Sequence, residues 1–435
     1  MGTEQRNQAI KAVHDNTILS VDNTSHFSVI NLGCKVNRVE SDEVAALFHA
    51  CGAQQGTVAQ ADVILVNSCT VTGEAEKKTR KAVRRALREN EDAQVVVTGC
   101  AAALNPQLYK DMSNRVLVQS KEDLAAFVRD GLEDVKSIEG VDTTYGEVTH
   151  LLRVGKGFNT RVAYKVQDGC NNACTFCIVH VARGKATSKP LADIVADAKE
   201  YEAQGVHEMV LTGINLGAWN DGDKRLVDML RTLLAHTSTM RFRLSSIEPA
   251  TIDDALIDTI MQAKGRICKH LHIPLQSGSD ALLKAMHRPY TTETYERLLQ
   301  KLYKAMPDIS ISTDIIVGFP GETEADFSET LEISRRARFS KIHIFRYSIR
   351  TGTPAATYDN QVLPEIKQQR AHILAELARN LRQNAFTQRC GTSEYALVED
   401  GGVATTESYF TILAPKGAKP GDMVECVLRE ELYVS

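Results

Sequence analysis

The chain has 435 residues, beyond the length at which one hydrophobic core usually stops growing, so two or three domains are expected. Lysine and arginine number 51 against 55 aspartate and glutamate, and the resulting formal charge of −4 excludes a wholly basic nucleic-acid binder while leaving room for a local basic patch. No run of about 18 apolar residues exists and the first 25 positions are too polar for a signal peptide, which predicts a cytoplasmic protein without a membrane span; in that reducing compartment its ten cysteines suit metal ligation or redox work better than structural disulfides.

After the polar tail (1–25), short β-rich runs alternate with helical patterns: FSVINLG, ADVILVNS, AQVVVTG and RVLVQS, each followed by a helical stretch. Strand followed repeatedly by helix implies parallel pairing, and residues 26–136 are predicted to form a doubly wound parallel α/β domain. A stretch with few periodic signals, Ser137 to Lys156, reads as a linker. Six further strand candidates follow within 157–375: RVAYKVQ, HEMVLTG, RFRLSSI, HLHIPLQ, ISISTDIIVG and KIHIFRYS. The helix PLADIVADAKEYEAQG between the first two has Pro190 to open it and Gly205 to close it. A complete eight-unit barrel usually takes about 250 residues, so six units in a shorter segment predict a partial (β/α)6 barrel. A long helix, about Leu363 to Gln388, leads into residues 380–435, whose short strands and Gly-Gly and Lys-Pro-Gly turns predict a small β-barrel.

The stretch DGCNNACTFC places Cys170, Cys174 and Cys177 within eight positions, a spacing that this composition yields by chance roughly 0.005 times. Closed structural zinc sites take four protein ligands, and thiolate-rich sites otherwise favour iron–sulfur clusters. Three thiolates on a 4Fe-4S cube leave one iron open, whereas the bland alternative is a zinc knuckle with a distant fourth ligand. Cys34, Cys69 and Cys100 form a second set, each directly following a strand of the first domain at separations of 35 and 31 residues. In a parallel sheet all such strand ends share one edge, so three βα loops can gather their thiols without short-range spacing. Cys51, Cys268, Cys390 and Cys426 lack that placement and read as ordinary buried cysteines.

The C-x3-C-x2-C loop after the first barrel strand resembles the radical S-adenosylmethionine (SAM) enzymes, in which the open iron holds the amino and carboxylate groups of SAM. Taken with NLGCKVNRVES, NSCTVT, TGC, GCNNACTFCIV, ARG, IPLQSGSDALLKAMHR, TDIIVGFPGETEADF and HIFRYSIRTGTPA, the chain beyond Phe27 is similar to the radical SAM methylthiotransferases. TESYFTI resembles part of a TRAM RNA-binding domain, and LTGINLGAW and RLSSIEP resemble the branch acting on N6-threonylcarbamoyladenosine rather than that for isopentenyladenosine. Ala103, His180, Lys189 and Ser408 depart from the family pattern, where glutamine, proline, arginine and asparagine often stand; no thiolate is lost.

The resemblance implies two 4Fe-4S clusters, ligated by Cys34, Cys69 and Cys100 and by Cys170, Cys174 and Cys177. One SAM methylates a sulfur on the first cluster; a second is cleaved at the other, and its radical takes hydrogen from C2 of an adenine that captures the methylthio group. Implied partners are a tRNA anticodon stem-loop and an electron-donor protein such as a flavodoxin or ferredoxin. SAM-binding candidates are chosen for their place at the ends of barrel strands, Gly213, Ser246, Gln276 and Asp314, against an ordinary strand-capping role for each. Lys77, Lys81, Arg84, Arg85 and Arg88 share one helical face opposite Val83 and Leu87, fit either for RNA phosphates or for plain solvation. Two other functions compete: methylthiolation of a ribosomal-protein aspartate, and a non-catalytic iron–sulfur or zinc protein that senses redox state while binding nucleic acid.

Overall fold

A computed structural model describes residues 25–50, 52–121, 123–124 and 160–434. The polar tail up to residue 24, the linker 137–156 and Cys51 lie outside the described residues. The chain divides into two compact units, one holding the described residues through Cys69 and from Ala75 to 124, the other holding Thr70–Glu74 and the residues from 160 on.

The first unit is a five-stranded parallel sheet of β1 (His26–Asn31), β2 (Gln54–Gln55), β3 (Val63–Ser68), β4 (Gln94–Gly99) and β5 (Val116–Val118), in the order β2-β1-β3-β4-β5. β3 reads VILVNS and is buried at every position, as expected of a parallel strand covered on both faces. Between the strands run α1 (Lys35–Ala50), α2 (Gly73–Glu89), and the short α3 (Cys100–Leu104) and α4 (Pro106–Lys110). Val83 and Ala86 of α2 pack with Ile64, Val66, Val95 and Val97 of the sheet. The chain reverses direction across the sheet between β1 and β3, and ligands of open α/β sheets bind beyond the carboxyl ends of the strands at such a switch point. Of the five strands only β2, two exposed glutamines, has no apolar signal that sequence reasoning can read.

The second unit contains all six expected barrel strands: β6 (Val162–Lys165), β7 (Glu208–Thr212), β8 (Arg241–Leu244), β9 (His270–His272), β10 (Ser310–Val317) and β11 (Lys341–Arg346). Every ladder between them is parallel, and the bridges Phe242 to Ile267 and Ser246 to His272 join the two three-stranded halves. The intervening helices begin where local chemistry allows. Pro190 sits at the N-cap of α5 (Leu191–Ala203), and the Asp253 carboxylate accepts from the Leu256 amide at the start of α6 (Asp254–Gln262).

Beyond α7 (Pro364–Thr387), four antiparallel strands form a small sheet: β12 (Ser393–Glu399), β13 (Val403–Thr406), β14 (Thr411–Leu413) and β15 (Met423–Val427), in the order β14-β13-β12-β15. A bridge from Ile412 to Tyr433 curls the edge round a core of Phe386, Ala396, Val398, Ala404, Phe410, Ile412 and Leu428.

This sheet is fastened to the amino-terminal ends of the barrel strands. Glu208, the first residue of β7, is fully buried and bonded by Arg241 Nε at 2.9 Å and Arg243 Nε at 2.7 Å. The same two guanidiniums donate to the carbonyls of Tyr395, Thr406 and Glu407 in the small sheet. Burial alone would raise the Glu208 pKa, but Arg243 and Arg241 hold its carboxyl well below the usual range. Tyr409, at φ +70°, tucks its ring 4.6 Å from that of His270, with the Arg243 guanidinium 5.0 Å and the Lys341 ammonium 5.6 Å away. TESYFTI is thus largely a docking element: Glu407 and Ser408 are buried and the Thr406 and Glu407 carbonyls accept from Arg243, while within the small sheet the Ser408 hydroxyl bonds Glu394 at 2.5 Å.

Candidate cluster and cofactor sites

Each cysteine of the dispersed set stands at the carboxyl edge of the first unit's sheet: Cys34 three residues after β1, Cys69 immediately after β3, and Cys100 immediately after β4. Two glycines bring these junctions together. A Cβ on Gly33 would lie 2.8 Å from the Cys69 sulfur, and one on Gly99 would lie 2.4 Å from the Ser68 carbonyl oxygen. Only bare backbone permits both approaches. The junctions are also tied by two buried amides. Asn37 donates to the carbonyls of Leu32 at 2.9 Å and Ser68 at 2.8 Å, while Asn67 donates to the Asn37 carbonyl at 2.8 Å and the Ser41 hydroxyl at 3.1 Å. Cys34 points its thiol at Asn37 Oδ1, 3.6 Å away, and is exposed, whereas Cys69 and Cys100 are buried. Sequence reasoning missed both asparagines, although NLGCKVN and LVNSC contain them.

The compact trio lies in the loop after β6. Gln167 anchors its start, giving its amide hydrogens to the carbonyls of Asp168 and Gly169 and accepting from the Asn215 amide at 2.8 Å. Arg183 of the ARG segment bonds Asp168 at 2.8 Å, and the Cys170 amide donates to the Gly184 carbonyl. The far side of the loop is gripped from the segment after the short helix Asp280–Ala285: Thr175 bonds the carbonyls of Ala285 and Met286, and the His287 ring meets the Ala173 carbonyl at 3.1 Å. Burial pushes the Cys177 thiol up to about 11 and raises Cys170 as well, each opposed by backbone donors and reinforced by the neighbouring sulfurs. Thiols so placed gain from a cation that draws off their protons.

Among the described residues no three His, Cys, Asp or Glu side chains converge on one point as the ligands of a single ion do. Thiolates on separate corners of a cube need no such convergence, so both cysteine sets have the donor chemistry of a three-ligand cluster site.

Beside Cys177, the residues Phe176, Gln276, Asp314, Phe345 and Tyr347 line an open cavity of about 130 Å³. Gln276 holds φ +70°, a conformation costing a non-glycine residue about 1–3 kcal/mol. Asp314 pairs with His272 at 3.2 Å. The Gly213 amide donates to the Ser245 hydroxyl at 3.3 Å, and Ser246 contributes its carbonyl to the Leu216 amide and a bridge to His272. The structure therefore sets Gln276 and Asp314 on the cavity, whereas the described bonds of Gly213 and Ser246 are those of loop and strand ends. Two residues beyond Gly213, the buried Asn215 Oδ1 has no hydrogen-bond partner among the described residues, an orphan acceptor that suits an ammonium group of a bound ligand. Sequence reasoning passed over Asn215 inside LTGINLGAW, Glu248 inside RLSSIEP and Arg288 inside the AMHR segment.

The remaining described cysteines have local partners. Cys268 donates to Glu208 at 3.6 Å, with burial pushing its thiol up to about 12, and Cys390 and Cys426 face the carbonyls of Phe386 and Glu394. Lys189, where the family often has arginine, bonds Asp197 at 2.8 Å and sits 4.5 Å over the Tyr164 ring. Lys77, Lys81, Arg84, Arg85 and Arg88 are all exposed along α2, Val83 is buried opposite them, and Arg85 also pairs with Glu89 at 2.8 Å.

A three-cysteine loop after the first strand of a six-stranded parallel barrel, beside an open cavity, defines a radical SAM domain. The Radical SAM superfamily matches residues 164–333, and the uncharacterized protein family UPF0004 matches residues 26–119. A Bacillus subtilis protein named threonylcarbamoyladenosine tRNA methylthiotransferase MtaB is 38% identical over 82% of this chain and 81% of its own length. A Thermotoga maritima protein of the same name is 37% identical over 80% and 81%. A Carboxydothermus hydrogenoformans protein named tRNA-2-methylthio-N(6)-dimethylallyladenosine synthase is 32% identical over 86% and 88%. The chain belongs to the radical SAM tRNA methylthiotransferase family. At the level of fold alone, it is similar to the radical SAM methyltransferase TsrM from Kitasatospora setae, with a TM-score of 0.53 at 14% identity over 77% of each chain. Among the described residues no helix is long and apolar enough to cross a membrane.

Proposed function

We propose that this chain transfers a methylthio group to C2 of N6-threonylcarbamoyladenosine beside the anticodon of tRNA. The recurrence of a three-thiol site at the carboxyl ends of parallel strands in both units carries this reading, and the names of the B. subtilis and T. maritima relatives support its substrate. When bound, SAM and two 4Fe-4S clusters supply the one-electron chemistry and the sulfur. The protein's share is placement. Cys170, Cys174 and Cys177 hold one cluster, and Cys34, Cys69 and Cys100 hold the other. Gln276 and Asp314 on the cavity wall, with Gly213 and Ser246 at neighbouring strand ends, orient SAM, and Phe345 and Tyr347 offer apolar surface to a base. A flavodoxin- or ferredoxin-like protein delivers the electrons, and the α2 cations meet tRNA phosphates.

Mass spectrometry of tRNA nucleosides from cells lacking the gene tests this directly. Loss of the methylthio group from threonylcarbamoyladenosine alone is the expected result. Loss from isopentenyladenosine instead would move the enzyme to the other branch, and an unchanged nucleoside profile would remove tRNA as the substrate.

A further inference from the structure

Arg288 is buried between the cysteine loop and the end of β8, and all three of its nitrogens are engaged. Nη1 donates to the Cys174 sulfur at 3.1 Å, Nη2 bonds the Glu248 carboxylate, and Nε donates to the Tyr290 hydroxyl at 3.0 Å. Tyr290 in turn shares its own proton between the carbonyls of Pro274 and Leu275, both at 3.0 Å, so the guanidinium cannot swing away from the sulfur without breaking a chain of bonds. The residues just before Arg288 hold the same cysteine loop through Ala173 and Thr175.

We propose that Arg288 is a positioning residue for the compact cluster, which orients the middle thiolate and raises the cluster's reduction potential by donating a charged hydrogen bond to its sulfur, with Glu248 setting an opposing bias. A donor and a positive charge at a ligating sulfur stabilise the form carrying the extra electron, because reduction adds negative charge to the cluster and its thiolates. Glu248 fixes the guanidinium fork and subtracts part of that charge, so the two side chains act in opposite directions on one electron. A purely structural pair would weaken the site in the same direction whichever member was removed.

This inference rests on the assignment of a cluster to Cys170, Cys174 and Cys177, and the iron content of each sample tests that assignment separately. The full-length chain is reconstituted anaerobically and titrated with dithionite, the compact cluster being identified by the change in its paramagnetic spectrum on adding SAM. Arg288→Gln is expected to lower the reduced-to-oxidised ratio at a fixed ambient potential about tenfold, or 59 mV for one electron, while Glu248→Gln raises it. Arg288→Lys, which keeps a charge but not the fork, is expected between wild type and Arg288→Gln. Should Arg288→Gln fail to retain iron, the opposite shifts of Arg288→Lys and Glu248→Gln carry the test. Iron-replete variants with the wild-type potential, or shifts of the same sign, would overturn the proposal.

Discussion

Cys170, Cys174 and Cys177 lie within eight residues of one loop, whereas Cys34, Cys69 and Cys100 are delivered by three strand ends 35 and 31 residues apart. The compact set depends on what grips one loop from outside: Gln167, Arg183 and the Ala285–Arg288 segment. The dispersed set depends on the register of a whole sheet, with Ser68 of β3 paired to Gly99 of β4 and the Asn37 and Asn67 amides holding the junctions. A local motif can tolerate movement of its surroundings as a body. A site assembled from three loops is lost whenever those loops lose their mutual spacing.

The sharpest break in this comparison comes from the cysteines themselves. Cys174→Ala is expected to abolish SAM cleavage and product together, while Cys34→Ala keeps SAM cleavage and loses only the methylthiolated nucleoside; each leaves about four irons of about eight, counted after reconstitution. A Cys34→Ala protein that still carried about eight irons would remove the dispersed set as a cluster site.

Glu208→Gln provides a control at the amino-terminal end of a barrel strand, opposite the end that carries the compact set. Breaking a buried ion pair typically costs about 3–5 kcal/mol, so the denaturant midpoint is expected to fall with iron content at low denaturant unchanged. Because the Glu208 pKa is depressed in the folded chain, its contribution is present above the ordinary carboxylate range and is lost as pH falls below it; the gap between wild type and Glu208→Gln is expected to narrow on acidification from about pH 5.

Asn37→Ala isolates the junctions. Leaving the Leu32 and Ser68 carbonyls without their donor is expected to cost about 1–3 kcal/mol and to speed loss of the dispersed cluster's iron to a chelator, with SAM cleavage at the other site intact. The smallest effect is expected from charge reversal at Arg84 and Arg85: tRNA affinity should fall and its logarithmic salt slope should shrink by about one to two, measured by filter binding across salt concentrations.

Strand order in the barrel was legible because each strand carries a run of apolar or alternating residues between helices with readable starts, as at Pro190. The compact cysteines were legible from spacing and the dispersed ones from their equivalent positions after strands. What surrounds them was not. Arg288 reaches Cys174 from 114 positions away, and no periodicity links the two. Asn37 and Asn67 look like ordinary polar residues until the sheet places them 30 positions apart at one edge. Gln276 was singled out by its place at a barrel-strand end, but its φ of +70° is a backbone conformation that composition cannot encode.

Tyr409 and the residues just before it face inward, toward Arg243 and His270. The segment that most resembles a nucleic-acid signature is therefore spent on joinery, so changes within it will register as loosening of the carboxyl-terminal sheet before they register as altered choice of tRNA.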